Sequence, residues 1–189
     1  GAICQIRDTQ REKILRAAQL VSDTICADGL IYVFGCGHSH LLAEETFYRA
    51  GGLACVNPIL EPSLMLHQGG AKSSALERVP QLGATVIAES GVGKGDVLFV
   101  VSNSGRNSAV IDAALEGKAR GAVTVAITSM AHSSAVTSRH PSGKRLFEVC
   151  DYVLDNCTPA AEAMMDVEGL DARFAAASGL SAATLLWSV

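Results

Sequence analysis

The chain has 189 residues and a mass of 19.6 kDa, the size of one domain by the usual ~100 to 200 residues per domain. With 49% apolar and only 18% charged residues it has enough apolar surface for a proper core, which excludes a disordered chain. Its net charge of −4 argues against a protein that grips nucleic acid or anionic lipid through its overall field, while leaving room for local anion sites.

No apolar run approaches ~18 residues, and Gln5 to Lys13 is polar where a signal peptide would be apolar, so the sequence predicts a soluble, cytoplasmic protein with neither membrane nor nucleic-acid partners. Cys4, Cys26, Cys36, Cys55, Cys150 and Cys157 form no CxxC pair and no repeated interval. They read as small core residues in a reducing compartment.

Thr9 and Glu12 have the spacing of a capping box, and Ile14, Ala18, Val21 and Ile25 recur at helical steps, which predicts a helix from about 9 to 27. Leu30 to Phe34 reads as a strand, Gly35 to His40 as a loop, and the next stretch as a helix reaching Ala50 and stopped by Gly51 and Gly52. Ala54 to Val56 reads as a second strand ended by Asn57 and Pro58, and Leu64 to Gln68 as a short helical segment. Leu76, Val79, Leu82 and Val86 keep a helical pattern that Pro80 and Gly83 interrupt, before a turn from Gly91 to Gly95.

Asp96 to Val101 is a continuous apolar strand, followed by the polar loop Ser102 to Asn107 and an alanine-rich helix, Ser108 to Arg120. Val123 to Ile127, the loop Thr128 to Ser134, and a final strand at Tyr152 to Leu154 complete the pattern. Nearly all-apolar strands alternating with helices predict one α/β domain over residues 1–189: a parallel sheet of about five strands in a three-layer α/β/α sandwich. Phe174 to Val189 carries no charge. It reads as a helix that packs between subunits of a homodimer or homotetramer, or one that the chain end cuts short.

In such a sheet ligands bind beyond the carboxyl ends of the strands. Three loops leave there: Gly35–His40, Ser102–Asn107 and Thr128–Ser134. The second gathers Ser102, Asn103, Ser104, Gly105 and Asn107 before a helix, so hydroxyls, amides and free backbone N–H groups surround a volume suited to phosphate, with Arg106 able to add a charge. The first begins GxG but has His40 where a dinucleotide fingerprint needs glycine. Cys36, His38 and His40, with Glu44 or Glu45 following, match no recognised zinc spacing, and the reading assigns neither metal nor cofactor.

Glu45 and Arg49 read either as a simple ion pair or, if that face meets the cleft, as a base with its neighbour. Glu61 and His67 are further candidates for proton transfer. The basic run Ser138 to Arg145 reads as a solvated loop or as an anion-gripping lid.

Together, Phe34–Gly52, Val56–Gly69, Ser102–Asn107 (SNSGRN), Ala126–Leu146 and Asp155–Cys157 resemble the SIS (sugar isomerase) domain, within it a bacterial family named for phosphosugar isomerase activity. The resemblance implies flavodoxin-like topology. It also implies phosphate held by Ser102, Ser104 and Asn107 with Ser129 and Ser133 nearby, and Gly37, His38 and Ser39 closing over the sugar. Resembled phosphoheptose isomerases carry metal-binding side chains on the helix after the first loop, where this chain has Glu45 and Arg49. Members of the family often have a Gly-Pro-Thr-Ser turn where this chain has Ala175, Ala176, Ala177 and Ser178, and they tend to continue past residue 189.

The resulting expectation is an aldose–ketose isomerase of a sugar phosphate, with Glu45 or Glu61 as base and His38 or His67 assisting. The alternatives are a sugar-phosphate lyase or etherase, and a phosphosugar sensor without catalysis.

Overall fold

A computed structural model describes all of residues 1–189. In chain order its elements are α1 (Ala2–Thr9), α2 (Arg11–Cys26), β1 (Ile31–Gly35), a 3-10 turn (Gly37–His40), α3 (Leu41–Thr46), β2 (Val56–Ile59), α4 (Gly70–Leu76) and α5 (Leu82–Glu89). Then follow β3 (Val97–Val101), α6 (Ser108–Ala119), β4 (Val123–Thr128), α7 (Met130–Ala135), β5 (Tyr152–Asp155), the short strands β6 (Ala163–Met165) and β7 (Phe174–Ala176), and α8 (Ser178–Ser188).

Five strands form one parallel sheet in the order β2-β1-β3-β4-β5, the flavodoxin-like order, with the direction of winding reversing between β1 and β3. Successive side chains of a strand face opposite ways. Tyr32, Phe34, Leu98 and Val100 therefore pack one core with Ile87 of α5 and Ile111 of α6. Ile31, Val33, Val97 and Phe99 pack the other with Val21 of α2, Leu42 of α3 and Leu185 of α8. The sheet is covered on both faces, as its strand composition predicts.

On the first side α5 lies directly on α6. Gly83 makes this possible, because a Cβ there would stand 1.8 Å from the Ala109 carbonyl oxygen.

Several boundaries differ from the sequence reading for identifiable reasons. The helix predicted to start at Thr9 is preceded by α1, and no side chain caps α2: the Thr9 hydroxyl donates back to the Gln5 carbonyl. Gln10 is buried at the junction, where its side chain accepts the Asp155 N–H at the end of β5.

The helix after the first loop stops at Thr46 rather than Ala50. The Thr46 hydroxyl donates to the Leu42 and Ala43 carbonyls, and the Phe47 N–H turns to Glu44 instead. Asn57 and Pro58 lie within β2, and a proline is tolerated there because β2 is an edge strand. Leu64 to Gln68 forms turns, with α4 starting only at Gly70. Phe174 to Ala176 belongs to the antiparallel β6–β7 pair, and α8 starts at Ser178. Within the chain α8 buries Ala182 and Leu185 and leaves Leu180 and Trp187 exposed.

Candidate functional site

The crevice opposite the reversal between β1 and β3 is where the first and second loops meet. A hollow of about 50 Å³ lies there, lined by His38 and Ser39 from the first loop, Asn103 from the second and Asn156 after β5. Glu162, just before β6, and Ser178 and Gly179 at the start of α8 close it. The first-turn N–H groups of α8 have no intrahelical acceptor, and no side chain caps them.

Asn103 is the informative residue of the second loop. The Thr158 N–H donates to Asn156 Oδ1 over 3.0 Å, which makes the other atom of that amide a donor, and Asn156 Nδ2 donates to Asn103 Oδ1 over 2.9 Å. A backbone group thereby fixes both amides without any choice of flip. Asn103 Nδ2 is left buried as a donor with no acceptor. The Ser133 hydroxyl is also buried without a partner. Unpaired buried donors of this kind are rare in folded proteins and mark places where a further group is to be received.

The other predicted binding residues divide by how far they are already engaged. Ser102 accepts the Gly105 N–H. Ser104 is half-buried, and its hydroxyl enters none of the hydrogen bonds of that loop. Asn107 precedes α6, but its Oδ1 accepts from Arg139 Nη1 at 2.9 Å and caps no helical N–H. Ser129 is fully buried, donating to the Thr158 carbonyl and accepting the His132 N–H, so it acts as the cap of α7.

Gly105 has a φ of +56°, and a Cβ there would meet the Ser133 hydroxyl at 3.0 Å. Glycine is what lets these two loops close together. Gly37, also at a φ of +56°, donates its N–H to the Leu64 carbonyl and ties the first loop to the segment after β2.

The basic run folds down over the second loop. Arg139 N–H donates to the Arg106 carbonyl and Leu146 N–H to that of Gly105, while His140 is pinned by a 2.9 Å contact with buried Asp112. Arg106 itself is held by Thr137. Desolvation, and then the nearby Arg106 and Arg78, hold the Arg139 guanidinium below its usual value, with Glu77 opposing them.

Glu77, at the end of α4, was not singled out by the sequence. Burial pushes its carboxyl above the usual range, opposed by a hydrogen bond with Asn107 and by Arg78 and Arg139. Burial and then the Glu77 charge also push the Cys36 thiol well up, which removes it as a nucleophile or thiolate ligand.

The proposed acid and base residues are dispersed. His38 lines the hollow. Glu45 accepts from Arg49, which lies beyond the end of α3, and from Trp187 Nε1 at 3.2 Å. Trp187 is at the far end of α8, about 14 Å along the helix from Ser178. Glu61 accepts the Ser63 N–H and hydroxyl and lines a groove between β2 and α5. His67 packs edge-on against His40, outside the hollow. Glu162 and Asn156 also line the hollow; Asn156 falls within the Asp155–Cys157 match but carries no assigned role there, and Glu162 sits in a stretch without periodicity or motif.

No helix is long and apolar enough to cross a membrane, and all six cysteines are free.

Residues 2–129 match the family model of the SIS domain. A UPF0309 protein of Caldanaerobacter subterraneus subsp. tengcongensis is 48% identical over 168 residues, covering 88% of this chain and 68% of its own. Among solved structures, phosphoheptose isomerase GmhA from Neisseria gonorrhoeae superposes with a TM-score of 0.60 at 21% identity, over 85% of this chain and 80% of its own. The Vibrio vulnificus NanR protein complexed with ManNAc-6P gives 0.56 at 21% identity, over 99% and 58%.

Proposed function

Because this chain belongs to the SIS domain family, we propose that it binds a sugar phosphate in the crevice between the β1 and β3 loops and interconverts its aldose and ketose forms. The observation that carries the reading is the Asn103 Nδ2 donor, locked in orientation and lacking an acceptor at the β3 exit. Ser104, the Ser133 hydroxyl and the uncapped start of α8 supply further donors. The ManNAc-6P complex of the similarly folded NanR protein and the activity named for GmhA support the choice of ligand class.

Isomerisation needs a carboxylate that moves a proton between C1 and C2 through an enediol. Glu162 is the carboxylate lining the hollow, with His38 placed to assist at a ring or carbonyl oxygen. Of the earlier candidates Glu45 and Glu61 are held elsewhere by Arg49, Trp187 and Ser63. Phosphate held at one end orients the reacting carbons at the other.

The test is deuterium uptake at C2 from heavy water across a panel of pentose, hexose, heptose and amino-sugar phosphates. Uptake that Glu162→Gln abolishes while binding persists supports the reading. Thermal stabilisation by a panel member without any exchange identifies a sensor instead. A homodimer or homotetramer in the cytoplasm belongs to the same proposal, with exposed Leu180 and Trp187 of α8 toward the partner. Light scattering that finds a monomer removes that part.

A further inference from the structure

Outside the hollow, two side chains of the basic run and one of α6 form a relay. The Ser142 N–H donates to His140 Nδ1 over 3.1 Å. A backbone N–H can only donate, so Nδ1 is the accepting nitrogen, and a neutral ring has its proton on Nε2, which faces Asp112 Oδ1 at 2.9 Å. The Ser142 hydroxyl oxygen accepts the Lys144 N–H at 3.2 Å and lies 2.7 Å from Nδ1, so its own hydrogen is directed to that nitrogen. Asp112 is 3% exposed and His140 9%, and the other Asp112 oxygen accepts the Gln81 N–H at 2.7 Å, which holds carboxylate and ring in place. Ser142 itself is exposed.

We propose that Ser142 is a modification site: a hydroxyl activated by His140 as general base, with Asp112 as positioning residue, that accepts an acyl group from an acyl phosphate. An alcohol held on an imidazole whose other nitrogen donates to a buried carboxylate is the arrangement that makes serine a nucleophile toward acyl groups, and it is recognised by geometry whatever the chain order. Ser142 Oγ bonds to the acyl carbon as its proton passes to His140 Nδ1. The bond from that carbon to the phosphate oxygen then breaks, and the phosphate leaves with the electron pair and takes the proton from His140. The products are an O-acyl serine and inorganic phosphate.

The neighbours set the donor class and the outcome. Lys144, whose N–H meets the hydroxyl, is exposed, whereas Arg145 is taken by Glu148, so positive charge beside the serine favours a donor with an anionic leaving group. The Ser142, Gly143 and Lys144 N–H groups are all engaged within the loop, on His140 Nδ1, the His140 carbonyl and Ser142 Oγ. None of these is left to stabilise an oxyanion, which limits the serine to activated donors and leaves the acyl group on it without rapid turnover. The site stands independently of the sugar-phosphate reading.

The experiment incubates the protein with acetyl phosphate and maps acetyl groups by tryptic mass spectrometry, in which Ser142 falls in the peptide His140–Lys144. The expected result is one acetyl group on that peptide that hydroxylamine removes, as it removes esters, while exposed Ser134 in the peptide Gly121–Arg139 stays unlabelled. Labelling should slow by about 10²–10⁴-fold in His140→Gln, and in the unaltered protein it should slow in heavy water, because the hydroxyl proton moves in the step. Nitrogen NMR of the parent should place the His140 proton on Nε2. In Asp112→Asn the Gln81 N–H claims the amide oxygen and leaves the amide nitrogen facing Nε2, so the tautomer and the labelling should be lost together. An acetyl group that resists hydroxylamine lies on Lys144 and overturns the proposal. So does an unlabelled peptide, labelling that heavy water or either substitution leaves unchanged, or a parent ring with a proton on Nδ1.

Discussion

Replacing Asn103 with Asp tests the anion site with the least disturbance. The isosteric carboxylate keeps an oxygen to accept from Asn156 Nδ2, now at 2.9 Å, while exchanging the unpaired donor for a second oxygen. Losing one hydrogen bond to a charged phosphate is worth about 1.5–3 kcal/mol. Placing a carboxylate about 4 Å from a phosphate charge adds up to about 4 kcal/mol of repulsion at the effective dielectric of a protein surface. With about 1.4 kcal/mol per tenfold change, affinity for sugar phosphates should fall by at least about tenfold and by as much as about 10⁵-fold.

Asn103→Ala separates the two effects. It loses the donor without adding charge, so its affinity should be intermediate. It also leaves Asn156 Nδ2 unpaired, which costs about 1–3 kcal/mol of stability. Calorimetric titration with inorganic phosphate and a sugar phosphate, alongside thermal unfolding, measures both. Wild-type affinity in Asn103→Asp would refute the reasoning.

Ser104→Ala should weaken phosphorylated sugars by about 1.5–3 kcal/mol and leave their unphosphorylated counterparts nearly unchanged, as read by calorimetry; equal loss for both argues against a phosphate at that hydroxyl. Gly83→Ala should force α5 from α6, because its Cβ would lie 1.8 Å from the Ala109 oxygen, costing about 1–3 kcal/mol or more. In scanning calorimetry this is a fall in Tm of roughly 2–12 °C. Glu77 has a folded-state pKa raised mainly by burial, so its favourable contribution is present below the ordinary glutamate range and is lost as pH rises through the higher folded value. Glu77→Gln should therefore gain stability relative to the parent as pH rises through that window in urea titrations, and a difference between the two that is constant with pH would contradict the assignment.

The sheet was legible because its strands carry the pattern openly: Val97 to Val101 and Val125 to Ile127 are buried throughout, and glycine and polar residues follow them. Boundaries failed where a distant partner decided them. Gln10 is claimed by the end of β5, 145 residues away, which no local window shows; the stop of α3 is local, but which carbonyl the Thr46 hydroxyl takes is not set by periodicity. The second loop was legible as a cradle, but which of its residues remain unengaged was not. Ser129 and Ser133 look alike in sequence, yet Ser129 is committed to Thr158 and His132 while the Ser133 hydroxyl has no partner. His40 and His67 meet only because the segment after β2 is tied back to Gly37 through Leu64, a contact no spacing encodes.

The chain of amides from Thr158 through Asn156 to Asn103 means that the character of the crevice is decided at a distance from it. An aspartate at position 156 would offer only oxygens to Asn103, whose amide would then rotate to give its hydrogens to that carboxylate and turn its carbonyl toward the opening. One substitution in the wall beside the loop would thus reverse the polarity of the face a ligand meets, converting a welcome for anions into a preference for cations while every residue of the serine loop stayed the same.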